Sequence, residues 1–260
     1  MDKKYTRLDP ISTRYFGPLD QMDSFSEKLF LLLTTLSILT LSVDRTKTPL
    51  LYDIVQSGFI IGVILLFVFG IGVRLYFTPR AEDKRRQDLL SNSFDVAITH
   101  EQSRGYYNND QSNPIRRLSA ALLENSFFSK NIILKMAYTE RVKIIVYGAI
   151  WLITLLNRNT DLALGAAMAQ AIFSEQIISR WIRVEWLRVR FERIYNDLYR
   201  LFQTSDNFNK DELQVRVLEA FGDYETSKSY GGITLSSKIF ERLNPCLSKE
   251  WEIIRKTLNL

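Results

Sequence analysis

The segment from Leu51 to Val73 is the most apolar stretch of the sequence, and it limits the fold more than any other feature. It reads LYDIVQSGFIIGVILLFVFGIGV, is followed by Arg74, and contains one acidic or basic side chain, Asp53, near its start. A helix needs about 20 mostly apolar residues to cross the hydrocarbon core of a bilayer. A buried helix of a soluble protein can have a similar composition, but the uninterrupted apolar run from Gly58 to Val73 favours a membrane span.

Composition indicates that part of the chain lies in water, because 24% of its 260 residues are charged. The net charge of +5 fits binding to nucleic acid or anionic lipid, but basic residues beside membrane spans give the same net charge, and we favour that explanation. The single cysteine, Cys246, cannot form an internal disulfide, which fits a reducing compartment. Residues 1–27 form a polar cytoplasmic lead without a secretory signal, in which Pro10 and Pro18 are expected to break helices.

Further apolar segments predict two transmembrane hairpins. Residues 29–43 and 51–73 are separated by a short polar turn and predict a first hairpin within residues 28–74. A weaker apolar pair, 144–156 and 162–178, predicts a second hairpin within residues 143–179. The helices of this second pair are short and carry polar side chains, so a packed soluble hairpin or one lying in the membrane interface is the alternative.

The distribution of basic residues predicts the orientation. Lysines and arginines are plentiful in the lead, in the insert at residues 75–142 and in the C-terminal region at residues 180–260, whereas the two turns hold only Arg45, Lys47 and Arg158. Basic residues stay on the cytoplasmic side. We therefore expect an all-α, multi-pass protein of the inner membrane with two transmembrane helical hairpins, a helical cytoplasmic insert, a helical C-terminal region and both termini in the cytoplasm.

The insert and the C-terminal region contain amphipathic patterns. The pattern at 81–90 predicts a basic helix with Lys84, Arg85 and Arg86 near lipid headgroups. Apolar residues in steps of three and four predict a long helix over 180–203, with a stripe that packs on the insert or associates with a second copy. The other predicted elements are a loop over 106–114, a helix from Ile115, a helix over 211–221, a loop over 222–232, and two short C-terminal helices split at Asn244 and Pro245.

Two groups of residues in the predicted spans are candidates for membrane function. Small residues that allow close helix packing are Gly58, Gly62, Ala163, Ala167 and Ala171. Polar residues that are costly in lipid, and that predict an intramembrane polar path when helices associate, are Gln170, Glu175 and Gln176.

The sequence predicts no enzyme, metal site or cofactor site. It lacks a phosphate-binding glycine loop, a dinucleotide motif and a zinc-type cysteine pair. The only histidine, His100, lies near Asp95, Glu101, Arg104 and Asp110, but metal sites need several ligands at defined spacing, and nucleophilic catalysis needs a nucleophile with a base. His100 could instead support the insert or bind a small anion beside Arg104, Arg116 and Arg117.

The arrangement of two apolar hairpins around a soluble insert resembles bacterial antiphage-defence transmembrane effectors. Similar layouts occur among the SMODS-associated four-helix effectors of cyclic-oligonucleotide (CBASS) systems and among small effectors encoded with retrons. The resemblance rests on this layout and on three segments, RRQDLLSNSFDVAITHEQSRGYYNND at 85–110, LENSFFSKNI at 123–132 and LSSKIFERLNPCLSKEWEIIRK at 235–256.

The resemblance implies an effector that is silent until infection and then breaches the inner membrane, causing abortive infection. Its implied partners are the lipid bilayer, further copies of the same chain, and partner proteins or a nucleotide or RNA–DNA signal from the same defence locus. The alternative from another class is a membrane scaffold or sensor that forms no pore and recruits a cytoplasmic partner. Toxicity on overproduction without neighbouring genes distinguishes the two.

Overall fold

The computed structural model describes residues 8–43, 46–107, 109, 111–156, 175–204 and 209–260. Within these ranges the regular structure is helical, apart from one antiparallel bridge between Leu8 and Arg104, and the predicted all-α class is confirmed. Short π-helical segments occur at Ser12–Phe16, Val73–Phe77 and Glu175–Ser179. The α-helices of the described residues are α1 (Gly17–Ser42), α2 (Pro49–Gly72), α3 (Thr78–Phe94), α4 (Pro114–Leu156), α5 (Arg180–Gln203), α6 (Lys210–Gly231) and α7 (Ser237–Thr257).

The chain divides into two compact units. The core unit comprises the described residues of Met1–Pro18, Thr78–Ala137 and Arg183–Leu260. The apolar unit comprises the described residues of Leu19–Phe77 and Tyr138–Ile182. Each unit is therefore assembled from segments that are distant in sequence.

In the apolar unit, α1 and α2 pack antiparallel. The rings of Phe25 and Phe69 are 5.0 Å apart, and Leu33 lies against Gly62. The unbroken helical run Pro49–Phe94 contains an 18-residue window with a mean hydropathy of 2.5, of which 6% is buried. This helix is long and apolar enough to cross a membrane, and it is the one such helix among the described residues.

The core unit has a hydrophobic interior formed by one face of each of its long helices. Phe127 of α4, Phe191 and Leu187 of α5, and Val217 of α6 are almost completely buried there, together with Trp251 of α7. The apolar stripe predicted for residues 180–203 packs into this core rather than lying free for a second copy. Its core members are Val184, Leu187, Phe191, Ile194, Leu198 and Leu201.

Side-chain caps explain where the last two helices begin. The Asn209 side chain accepts a hydrogen bond from the backbone N–H of Glu212 at the start of α6. The Ser236 hydroxyl accepts one from the backbone N–H of Ile239 at the start of α7. Gly232 ends α6 with a φ of 54°, which glycine adopts without steric cost.

Three local predictions are wrong, and in each case the chain stays helical. The lead is helical from Pro10 onward, with a π-helical segment at Ser12–Phe16, and Pro18 is the second residue of α1, where the first-turn N–H groups have no partner within the helix. The predicted loop at 222–232 belongs to α6 because Tyr224, Ser227 and Gly231 are buried on one helix face. The predicted break at Pro245 lies inside α7.

Burial explains why α7 tolerates an internal proline. Leu247 and Trp251, one turn apart, are both buried in the core, and their burial offsets the lost backbone hydrogen bond. By contrast, the helix predicted from Ile115 is confirmed, since α4 begins at Pro114. The described residues of the predicted loop that precede Pro114 are not helical. The helix predicted at 81–90 is also present, extended to Thr78–Phe94.

Candidate functional site

The core unit contains a cavity of about 580 Å³, which is the candidate functional site. Its wall is formed by the segment around Asp9, by Tyr106, and by residues of α3, α4, α5, α6 and α7 together with the connection between the last two helices. Because distant parts of the chain meet at this cavity, no single motif of the sequence marks it.

One side of the cavity carries a buried cluster of three charged residues. Lys228 Nζ donates to Glu225 Oε1 at 3.1 Å and is also paired with Glu82. All three side chains are at most one-fifth exposed. Burial by itself lowers the pKa of Lys228, but the attraction of Glu82 and Glu225 outweighs it and raises that pKa well above its usual range. Burial raises the pKa of Glu225, and the attraction of Lys228 offsets this only in part.

A second ion pair lies beside this cluster. Arg85 Nη2 donates to Asp9 Oδ2 at 2.9 Å, and its guanidinium lies 4.4 Å from the ring centre of Tyr106. Both members of the ion pair are largely buried. Arg85 was predicted near lipid headgroups, but the structure places it within the core unit, where an internal carboxylate and an aromatic face surround its charge.

The charge of the wall is unbalanced. Among the described lining residues, the carboxylates are Asp9, Glu82, Glu124, Glu225 and Glu252, whereas the cations are Arg85 and Lys228. Glu252 is also close to Arg255, at 3.4 Å. The lining is therefore richer in negative than in positive charge.

Aromatic residues also line the cavity. The rings of Phe128 and Phe240 are 6.0 Å apart, and Trp251 also lines the cavity. Trp251 is 4% exposed, and its indole Nε1–H has no hydrogen-bond acceptor among the described residues. Buried indole N–H groups are normally hydrogen-bonded. The residues of the cavity wall thus combine apolar surface and carboxylates with two buried donor atoms, Trp251 Nε1 and Arg85 Nη1, that have no hydrogen-bond acceptor among the described residues.

The N-terminal segment that contributes Asp9 is held in place by Glu101. This carboxylate accepts hydrogen bonds from Tyr15 Oη at 2.6 Å and from Arg14 Nη1 at 2.8 Å. These two hydrogen bonds lower the pKa of Glu101. The bridge between Leu8 and Arg104 adds two backbone hydrogen bonds, so residues 8–15 are attached to the insert at several points.

A buried carboxylate orders the insert loop. Asp88 is fully buried, and it accepts hydrogen bonds from the backbone N–H of Ser103 at 2.8 Å and from its hydroxyl at 2.6 Å. Asn92 donates to the same carboxylate at 3.1 Å. In the predicted group around His100, Glu101 accepts hydrogen bonds from Arg14 and Tyr15, and Asp95 accepts one from Arg117. His100 itself is exposed.

Of the arginines proposed for anion binding, Arg117 is engaged in other contacts. Arg117 Nη1 donates to Asp95 at 2.6 Å and to the carbonyl of Asn92 at 3.2 Å. Arg104 is exposed, and Asp110 lies outside the described residues. Within the described part of the chain, no group of three or more His, Cys, Asp or Glu side chains could hold a metal ion.

The predicted membrane residues are described in part. A Cβ atom built on Gly62 would lie 2.5 Å from Leu33 Cδ2, whereas one on Gly58 would have no described atom within 4 Å. Glu175 and Gln176 lie in a π-helical segment, and their side chains are not described. The other predicted residues, Ala163, Ala167, Gln170 and Ala171, lie outside the described residues.

Sequence reasoning missed the cavity residues. Glu225 and Lys228 were assigned to a loop, although their spacing of three places them on one helix face. Trp251 was placed in a short helix without a role. Comparisons of this chain with protein-family models, with curated proteins and with solved structures found no match.

Proposed function

We propose that this protein is a multi-pass inner-membrane effector of bacterial antiviral defence that disrupts membrane integrity when infection triggers it. The observation that carries the proposal is the contrast between a unit with outward-facing apolar side chains and a unit with its own core and a cavity. The resemblance in layout to CBASS and retron effectors supports the biological context.

Lipid is the partner that suits the apolar unit. Phe67 is 66% exposed and Leu156 is 81% exposed. Covering apolar surface contributes roughly 25 cal/mol per Å², so a helix with this composition is stabilised by hydrocarbon. We propose two transmembrane hairpins, within residues 28–74 and 143–179, with both termini and the insert in the cytoplasm.

The proposed mechanism joins a cytoplasmic trigger to helix association in the membrane. A partner protein, or a nucleotide or RNA–DNA signal from the same locus, acts on the core unit, and the hairpins then assemble into a homo-oligomer. Close packing at Gly58, Ala163, Ala167 and Ala171 favours association. Gln170, Glu175 and Gln176 then line a polar path, since polar side chains are costly against lipid.

Induced expression in a bacterium without neighbouring defence genes tests the function. We expect growth arrest together with loss of membrane potential, measured with a potential-sensitive dye, and entry of propidium iodide. A triple Gln170→Leu, Glu175→Leu, Gln176→Leu variant should reach the membrane at the same level and leave the potential intact. Absence of toxicity at matched expression would favour the scaffold or sensor alternative, and toxicity with an intact potential would exclude the pore.

Reporter fusions test the proposed topology independently. Alkaline phosphatase is active only after export, so a fusion within residues 157–161 should be active and a fusion after Leu260 should be inactive. The reverse pattern would overturn the orientation, even if the protein is toxic.

A further inference from the structure

We propose that the outer face of α7 docks the core unit on the anionic headgroups of a lipid bilayer. This inference rests on the proposed membrane function, because a membrane helix keeps the core unit within reach of lipid, and it adds the lipid class and the surface that recognises it. The surface is a basic stripe of four exposed cations, Lys238, Arg242, Lys249 and Lys256.

Helix geometry places the four cations of the basic stripe on one side of α7. They are spaced by 4, 7 and 7 residues, and these spacings return to nearly the same direction because an α-helix has about 3.6 residues per turn. Leu247 and Trp251 lie on the other side and are buried in the core. With a rise of about 1.5 Å per residue, the stripe is about 27 Å long. One side of α7 is thus fixed by the core, while the other presents a line of positive charge.

The charge of the basic stripe is not compensated within the described part of the chain. None of its four side chains forms an ion pair or hydrogen bond with a described residue. The carboxylates of α7 lie beside the stripe, and two of them have other cations nearby. Glu252 is 3.4 Å from Arg255, and the negative charge of Glu250 interacts with Lys130 of α4. The third carboxylate is Glu241, so the stripe keeps an excess of positive charge.

Two observations favour lipid as the polyanion that meets this stripe. The chain contains a helix long and apolar enough to cross a membrane, and such an anchor gives lipid headgroups a high effective concentration around the core unit. Ile253 is 66% exposed beside the stripe, and an apolar side chain within a basic face inserts among headgroups. Each Lys or Arg near an anionic surface strengthens binding by about fivefold.

The single cysteine provides a probe position for this docking. Cys246 is exposed, four residues after Arg242 and three before Lys249, so it lies beside the basic stripe. The full-length protein is labelled at Cys246 with bimane and reconstituted into nanodiscs that contain lipid with a spin label on the headgroup. One set of discs is phosphatidylcholine, and the other also contains phosphatidylglycerol. Quenching of bimane by the spin label measures docking.

We expect stronger quenching in the discs that contain phosphatidylglycerol. The difference should disappear in 1 M salt, where the screening length falls to about 3 Å. Quenching of equal strength in the two kinds of disc would overturn the inference.

Two variants with the same change in net charge identify the surface. The stripe variant carries Lys238→Gln, Arg242→Gln, Lys249→Gln and Lys256→Gln. The control variant changes four exposed cations of α5 and α6, with Arg193→Gln, Arg200→Gln, Lys210→Gln and Arg216→Gln. The stripe variant should weaken docking by about 600-fold, from about fivefold for each cation, and the control should keep the response to phosphatidylglycerol. Circular dichroism checks that both are folded, and an equal loss in both variants would overturn the assignment to α7.

Other partners of the stripe give different results in the same discs. If a short RNA or DNA strand added to phosphatidylcholine discs changes the bimane signal more than phosphatidylglycerol does, the stripe binds nucleic acid and the inference is wrong. It is also wrong if the signal requires two copies of the chain in one disc, because the stripe then meets a second copy.

The test separates this inference from the proposed effector function, because quenching is measured without any readout of leakage. Entry into both kinds of disc without a response to phosphatidylglycerol would contradict the inference alone. Docking by a protein that leaves the membrane potential of cells intact would contradict the effector function alone. A chain that elutes with neither kind of disc in size-exclusion chromatography would contradict both.

Discussion

The two halves of helix α4 carry similar apolar side chains in opposite surroundings. Ile133 is fully buried in the core unit, whereas Ile153, further along the same helix, is 68% exposed. Neighbouring side chains cover the first residue, whereas most of the second lies exposed. Hydropathy alone therefore locates an apolar segment, but the fold decides whether protein or another medium covers it.

The helical run Pro49–Phe94 shows the same contrast more sharply. Phe67 is exposed in its first part, and the carboxylate of Asp88 is fully buried in its last part. This reverses the usual arrangement in water, where phenylalanine is inside and aspartate outside. The buried carboxylate is tolerated because Ser103 and Asn92 donate hydrogen bonds to it.

The largest expected effect comes from placing charge on the exposed apolar face of α2. We expect the double substitution Ile64→Lys and Val68→Lys to cost about 5–7 kcal/mol of membrane insertion, from roughly 2.5–3.5 kcal/mol for each lysine. The matched control, Val215→Lys with Leu218→Lys, changes exposed apolar residues of α6 in the core unit. The fraction of protein in carbonate-washed membranes should fall only for the α2 variant, and equal losses would remove the distinction between the units.

The second-largest effect is the difference in stability that we expect between substitutions of two phenylalanines. Phe127 is fully buried and lies 6.0 Å from Trp251 between ring centres, whereas Phe67 is exposed. We expect Phe127→Ala to lower the free energy of unfolding by about 3–5 kcal/mol and Phe67→Ala by less than about 1 kcal/mol. Thermal unfolding in detergent, followed by near-ultraviolet circular dichroism, measures both. A similar loss for the two variants would show that Phe67 is packed against protein.

A smaller effect is expected within the apolar unit, where two glycines of one motif differ. Gly62→Leu should destabilise the packing of α1 on α2 by about 1–3 kcal/mol, because the new side chain meets Leu33. Gly58→Leu should leave this packing unchanged. Thermal unfolding compares the pair in detergent under conditions that keep the protein monomeric. A larger loss for Gly58→Leu would contradict the helix register described here.

The smallest effect concerns the N-terminal segment and depends on pH. Glu101→Gln should reduce stability by about 1 kcal/mol at pH 7, since it weakens the hydrogen bonds from Arg14 and Tyr15. The pKa of Glu101 is lowered in the folded protein, so its contribution is present above the usual carboxyl range and is lost as the pH falls through the lowered pKa.

The measurement is the difference in melting temperature between the original protein and Glu101→Gln across pH 3–7. This difference should be largest near neutral pH and shrink in acid. Glu241→Gln, which changes an exposed residue of α7, serves as the control and should show no such trend. A difference that grows in acid would contradict the role assigned to Glu101.

Local sequence patterns predicted most of the described helices, but they also predicted interruptions at Gly222 and Pro245 that the structure does not have. The stripe over residues 180–203 predicted α5 because its period matches a helix and its spacing is independent of the rest of the fold. These two predictions were wrong because they relied on the turn-forming preference of glycine and proline. Burial of Tyr224 and Trp251 outweighed the local preference at those two places, and such burial depends on contacts with other helices.

The sequence by itself determined that the chain is helical and that Leu51–Val73 is suited to hydrocarbon, because periodicity and hydropathy are properties of adjacent residues. Only the tertiary structure brought Glu82 of α3 to Lys228 and Glu225 of α6 and placed Trp251 on the same cavity. These residues are far apart in the sequence, and their approach follows from how whole helices pack. The candidate site was therefore decided by long-range packing, which no local motif encodes.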